Sequence, residues 1–100
     1  MVTVAKESDL EEGAVKVVEA GGRRIALCKF DGTFYAIDDV CTHDRGPLGQ
    51  GELIGGEIEC PRHGARFDVT TGRATRLPAI QPVRTYPVRV EDGAISVEVE

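Results

Sequence analysis

Both histidines of this 100-residue chain follow a cysteine at short range: Cys41-Thr42-His43 and Cys60-Pro61-Arg62-His63, with sixteen residues between the pairs. Thiolate sulfur and imidazole nitrogen are the donors that suit zinc and iron–sulfur centres. One chemistry open to such a set is a tetrahedral zinc site with two sulfurs and two nitrogens. Another is a two-iron cluster in which two imidazoles replace two thiolates at one iron. A third reading has no metal, only two buried thiols and two surface histidines. It must explain why a sequence otherwise lacking histidine places both beside a cysteine. Zinc has the right atoms, but a Cys-x-His turn is tighter than the usual C-x2–4-C and H-x3–5-H pairs.

These pairs need loops that face each other, and the surrounding sequence supplies short extended runs to hold them. "AVKVVEA" and "RRIALCKF" flank Gly21-Gly22, a hairpin signal. Asp31-Gly32 turns the chain into "TFYAID", whose aromatics favour extended structure, and Cys41 follows. Gly55-Gly56 feeds the strand "GEIE", after which Cys60 opens the second loop. "RFDVTTGRAT" reads as a hairpin with Gly72 at its turn, and "YPVRVEDGAISVEVE" as one around Asp92-Gly93. In the latter Val88, Val90, Ile95, Val97 and Val99 alternate. Pro78, Pro82 and Pro87 make 78–87 an irregular or edge segment. Val2–Val4 reads as an opening strand, and Ser8 with Glu11 as a capping box on a single turn stopped by Gly13. No stretch of ten residues carries a capped helical period. The expected class is all-β: antiparallel hairpins in a sandwich or partly open barrel, with the two loops as a small subdomain.

Composition agrees with one soluble domain spanning 1–100: 41% of residues are apolar and 29% charged. A net charge of −5 argues against nucleic acid and anionic membrane as partners, and points to a protein partner with a basic face. Residues 1–40 carry five Lys/Arg against eight Asp/Glu, whereas 41–80 carry five of each, so the Cys/His region is the less acidic part. Three cysteines, two with histidine neighbours, fit metal-bound thiolates in a reducing cytoplasm better than a disulfide framework. No targeting or membrane-spanning segment is visible. Cys28, within "IALCKF", reads as a buried small hydrophobe. The acidic run Glu7–Glu12 reads as a solvated turn, while Asp38-Asp39, Arg45 and Arg62 are candidates for a docking face.

"CTH" at 41–43 and "CPRHG" at 60–64 resemble the C-x-H-x15–17-C-x-x-H motif of Rieske-type 2Fe–2S proteins. The flanks "DGTFYAIDDVCTH", "RFDVTTGR" and "VRVEDGAISV" resemble the small Rieske ferredoxins over nearly the whole length. The resemblance implies one 2Fe–2S cluster in a part spanning about 40–67. Cys41 and Cys60 would hold one iron and His43 and His63 the other, and no residue would be catalytic. Pro61 would keep Cys60 extended, Gly64 would permit the turn, and Gly46-Pro47-Leu48 would stiffen and cover the first loop. Backbone N–H groups of both loops would bond the sulfurs.

Two departures bear on the potential. Where respiratory-chain Rieske proteins place a loop-bridging disulfide, this chain has Gly46 and Arg62, and where they place serine and tyrosine hydroxyls it has Ala65 and Phe67. Fewer donors to sulfur disfavour the reduced, more negative cluster, so the midpoint should lie toward the roughly −150 mV end of the Rieske range. Imidazole ligands should also make it pH-dependent in the alkaline range. The resemblance implies a monomeric one-electron carrier, not an enzyme. Its donor would be a flavin-dependent ferredoxin reductase and its acceptor a terminal non-haem iron oxygenase. The alternatives are a partner of another redox enzyme such as nitrite reductase, and a zinc-stabilised interaction module. No histidine remains for a mononuclear iron site and no Gly-rich nucleotide fingerprint is present.

Overall fold

The computed structural model describes residues 1–42 and 45–99, and its described elements are eleven strands and two single 3-10 turns. The strands are β1 (Val2–Lys6), β2 (Val15–Ala20), β3 (Arg23–Phe30), β4 (Thr33–Asp38), β5 (Glu52–Ile54), β6 (Glu57–Glu59), β7 (Arg66–Asp68), β8 (Ala74–Arg76), β9 (Thr85–Tyr86), β10 (Val88–Glu91) and β11 (Ala94–Val97). They form three antiparallel sheets: β1-β11-β10, β2-β3-β4-β9 and β5-β6-β7-β8. Among the described residues no helix is long and apolar enough to cross a membrane.

The middle sheet has a core on each face, and β3 shows why. Ile25, Ala26, Leu27 and Cys28 are all fully buried, and their side chains alternate between the two cores as the pleat requires. Ile25 and Leu27 pack with Phe34, Ala36, Tyr86, Ile95 and Val97 against the terminal sheet. Ala26 and Cys28 pack with Ile37, Leu48, Ile58, Phe67 and both Cys41 and Cys60 against the third sheet. An uninterrupted apolar run is what a strand covered on both sides requires.

Every expected hairpin forms at its expected turn. Asp31 and Gly32, like Asp92 and Gly93, take left-handed backbone, as do Gly21 and Gly22, which suits two-residue hairpin loops. Glu12 secures one of them: its carboxylate accepts hydrogen bonds from the N–H groups of Asp31 and Gly32 at 2.6 and 2.9 Å. Two details differ from expectation. The first 3-10 turn runs Glu7–Asp9, and its entry is closed by the Asp9 carboxylate accepting the Lys6 N–H at 2.9 Å, so Ser8 and Glu11 do not form the box. Along the last hairpin Val90 is exposed although Ile95, opposite it, is fully buried. The edge position of β10 leaves nothing to cover Val90.

Candidate metal centre

The first loop leaves β4 and the second leaves β6, and each begins on a cysteine whose backbone closes the loop in the same way. The Cys41 N–H donates to the Gly46 carbonyl at 2.7 Å and the Cys60 N–H to the Ala65 carbonyl at 2.7 Å. In return Arg45 N–H donates to the Cys41 carbonyl at 2.7 Å, and Gly64 N–H to the Cys60 carbonyl at 3.1 Å. In both loops the residue four after the cysteine takes left-handed backbone, Arg45 at φ 62° and Gly64 at φ 74°. Gly64 is the residue the sequence marks for that role, because glycine reaches this region without steric cost. Arg45 fills the equivalent slot with a side chain that disfavours it, and its type gives no hint of this. These four N–H groups are committed to carbonyls, so sulfur donors have to come from other amides of the loops.

Cys41 and Cys60 are 0% and 1% exposed and belong to one apolar cluster with Leu48, Ala65, Phe67 and Ala79. His63, by contrast, lies exposed at the loop surface. His43 lies outside the described residues. Among the described residues no three Cys, His, Asp or Glu side chains are grouped to hold one ion. Thiols inward and imidazole outward is the arrangement that a two-iron group needs when sulfur holds its inner iron and nitrogen its outer one. The donor set and its burial therefore fit such a group. Ala65 and Phe67, fully buried beside the cysteines, offer no hydroxyl.

Neighbouring strands fix where the loops sit. Gly51, on the return from the first loop, lies so close to β6 that a Cβ there would stand 1.9 Å from the Glu59 carbonyl oxygen. Only glycine lets the first loop's exit touch the strand leading to Cys60. Asp39 is a residue that sequence reasoning misassigned. It is not a docking charge: it is 4% exposed, accepts the Gly49 N–H and pairs with Arg24 at 3.3 Å. It thereby ties the base of the first loop to its far end. Asp38 accepts the Tyr86 hydroxyl and is likewise turned to an internal partner. Arg45 and Arg62 are exposed on the loops. Cys28 lies in the same core as the two loop cysteines, and burial pushes its thiol up to about 12, so it is inert at neutral pH.

The family model for the Rieske [2Fe-2S] domain matches residues 1–87. This chain belongs to the Rieske [2Fe-2S] domain family. A Rieske [2Fe-2S] domain implies a Rieske 2Fe–2S cluster. Among relatives, the ferredoxin component of a naphthalene 1,2-dioxygenase/salicylate 5-hydroxylase system of Ralstonia sp is 42% identical over 92 residues, covering 92% of this chain and 88% of the relative. Among solved Rieske structures, the ferredoxin of carbazole 1,9a-dioxygenase from Nocardioides aromaticivorans superposes with a TM-score of 0.95 at 36% identity, covering 99% of this chain and 97% of its own. A chain from a complex of reduced oxygenase and oxidized ferredoxin in carbazole 1,9a-dioxygenase gives 0.92 at 35% identity, covering 97% and 100%.

Proposed function

We propose that this Rieske domain is a one-electron carrier that takes electrons from a flavin-dependent ferredoxin reductase and delivers them to the terminal oxygenase of an aromatic-ring dioxygenase system. Cys41 and Cys60 hold one iron as thiolates, and His43 and His63 hold the other through imidazole nitrogen. The observation that carries this assignment is the pair of like-built loops, each opening on a buried cysteine of one shared core. When bound, the cluster supplies a centre that gains and loses a single electron.

The chain's own residues do the rest. Leu48, Ala65 and Phe67 exclude water from the thiolate side, which keeps charge changes there in a low-dielectric setting. The exposed His63 brings the imidazole end to the surface, so a docked partner reaches the electron-accepting side without rearranging the core. The closing hydrogen bonds hold both loops rigid, which lowers the reorganisation that accompanies each transfer. Like the ferredoxin components that it resembles, the protein is a carrier rather than a catalyst.

The test is spectroscopic and functional. Purified in air, the protein should be reddish-brown and give a rhombic EPR signal once reduced. With a matched reductase it should support turnover by the oxygenase of a naphthalene 1,2-dioxygenase system. His63→Cys should lower the midpoint or abolish the signal; an unchanged midpoint would remove His63 from the ligand set. A colourless protein binding one zinc per chain would leave a zinc-stabilised module. Electron delivery to a nitrite reductase and not to the oxygenase would assign the other redox partner.

A further inference from the structure

Between β8 and β9 the chain runs through Leu77, Pro78, Ala79, Ile80, Gln81 and Pro82, a segment that the electron-carrier reading leaves without a role. Ala79 is 4% exposed and packs into the core that holds Cys41 and Cys60. The Gln81 carbonyl accepts the Thr42 hydroxyl at 2.7 Å, and Thr42 stands between Cys41 and His43. The segment is thus pinned against the first loop at two points. Between and beside those pins, Leu77 is 73% and Ile80 76% exposed, well above Met1 at 56%, the next most exposed large apolar residue. Isolated surface leucines are ordinary, but the two most exposed apolar side chains of the molecule sharing one anchored loop beside the metal centre are not.

Charge adds a second, independent feature. Residues 69–90 contain Arg73, Arg76, Arg84 and Arg89 and no Asp or Glu, in a chain whose net charge is −5. Arg73 and Arg84, on either side of Leu77 and Ile80, are exposed, while Arg76 is turned to the Glu59 carboxylate. The Glu59 carboxylate, which lines a groove with Glu52 and Pro61, is itself met by Arg66 at 2.8 Å and Arg76 at 4.0 Å.

We propose that Leu77 and Ile80 are the apolar anchors by which this protein docks on its terminal oxygenase. They would enter an apolar depression of that partner rimmed by carboxylates that face Arg73 and Arg84. The inference rests on the carrier reading above and names the surface that reading uses. An apolar anchor beside the first metal loop expels water from the docked face, and a small patch flanked by charge allows quick association and release. The same charges place the partner's acid on this side of the cluster, whereas the net charge alone points to a basic partner face.

The test uses the cluster-loaded protein with Leu77→Ser and Ile80→Ser combined, both sites being exposed enough to spare the fold. In steady-state turnover with the oxygenase of a naphthalene 1,2-dioxygenase system, the apparent KM for the carrier should rise about tenfold, with kcat, EPR signal and midpoint unchanged. The rate of reduction by the reductase should stay within about twofold. For the wild type KM should rise with ionic strength, and Arg73→Gln should weaken that dependence. An unchanged KM in the double variant overturns the proposal. So does an equal loss toward the reductase, or a wild-type dimer that the double variant dissolves, since the patch would then serve another occupant. A KM that falls with added salt overturns the acidic rim. A wild-type protein that never reduces the oxygenase defeats the carrier reading itself, a result distinct from a variant that behaves as wild type.

Discussion

At the scale of single residues, the site is defined as much by what its side chains lack as by what they donate. Phe67 is fully buried in the core that holds both cysteines, and its ring presents no donor. Adding a hydroxyl there supplies a hydrogen bond toward sulfur that strengthens as the cluster gains negative charge. A charge-assisted bond worth about 1.4 kcal/mol more in the reduced state corresponds to roughly 60 mV for one electron. Phe67→Tyr should therefore raise the midpoint by about that amount in a redox titration, and a lower or unchanged midpoint would show that the ring edge does not face the cluster. The two loops that open on cysteines and the lack of hydroxyls were legible in the sequence, because spacing and residue identity carry them. Arg45 was not legible, since left-handed backbone at a non-glycine residue is imposed by the loop closing on itself.

At the scale of elements, Asp39 shows how a strand end sets a loop. Its carboxylate is buried between the end of β4 and the short 3-10 turn Leu48–Gln50, holding the Gly49 N–H and the Arg24 guanidinium. Removing it strands a buried N–H, which costs about 1–3 kcal/mol. Asp39→Ala should lower the thermal midpoint and shorten the half-life of the visible absorbance, because the first loop loses its tether. Equal half-lives for variant and wild type would show the loop to be held by its other bonds. From sequence, Asp38-Asp39 reads as a pair of surface charges beside the metal loop. What overrides that reading is the return of Gly49 to the strand end, a contact between residues ten apart. The hairpins were legible for the opposite reason: their turns are local, and glycine and aspartate at fixed offsets specify them.

At the scale of the whole molecule, the two cores on opposite faces of the middle sheet divide the labour. One is built from β1, β2, β3, β4, β9, β10 and β11; the other takes in both loops through Cys41, Leu48, Cys60 and Ala65. With the ligation proposed above, a cluster held by the two loops would contribute to the folding of the second core more than to that of the first. Removal of the cluster by chelator and reductant should raise amide exchange over 41–67 by at least tenfold. Exchange in β1, β10 and β11 should change far less. Uniform loss of protection would mean that the molecule unfolds as one unit, with no separation between the cores. Charge is uneven as well: the exposed Glu7, Asp9, Glu11 and Glu12 follow β1, while the exposed Arg73 and Arg84 stand in the acid-free stretch 69–90.

The sequence by itself determined the metal chemistry, the all-β class and nearly every turn. Each of these is written in residue type and short spacing, where donor atoms and backbone preferences act locally. Only the tertiary structure decided that Asp38 and Asp39 serve internal partners, that the middle sheet is covered on both faces, and that Leu77 and Ile80 stand beside the first loop. Those outcomes depend on which distant segments meet, and burial and electrostatics are properties of the meeting rather than of either segment alone.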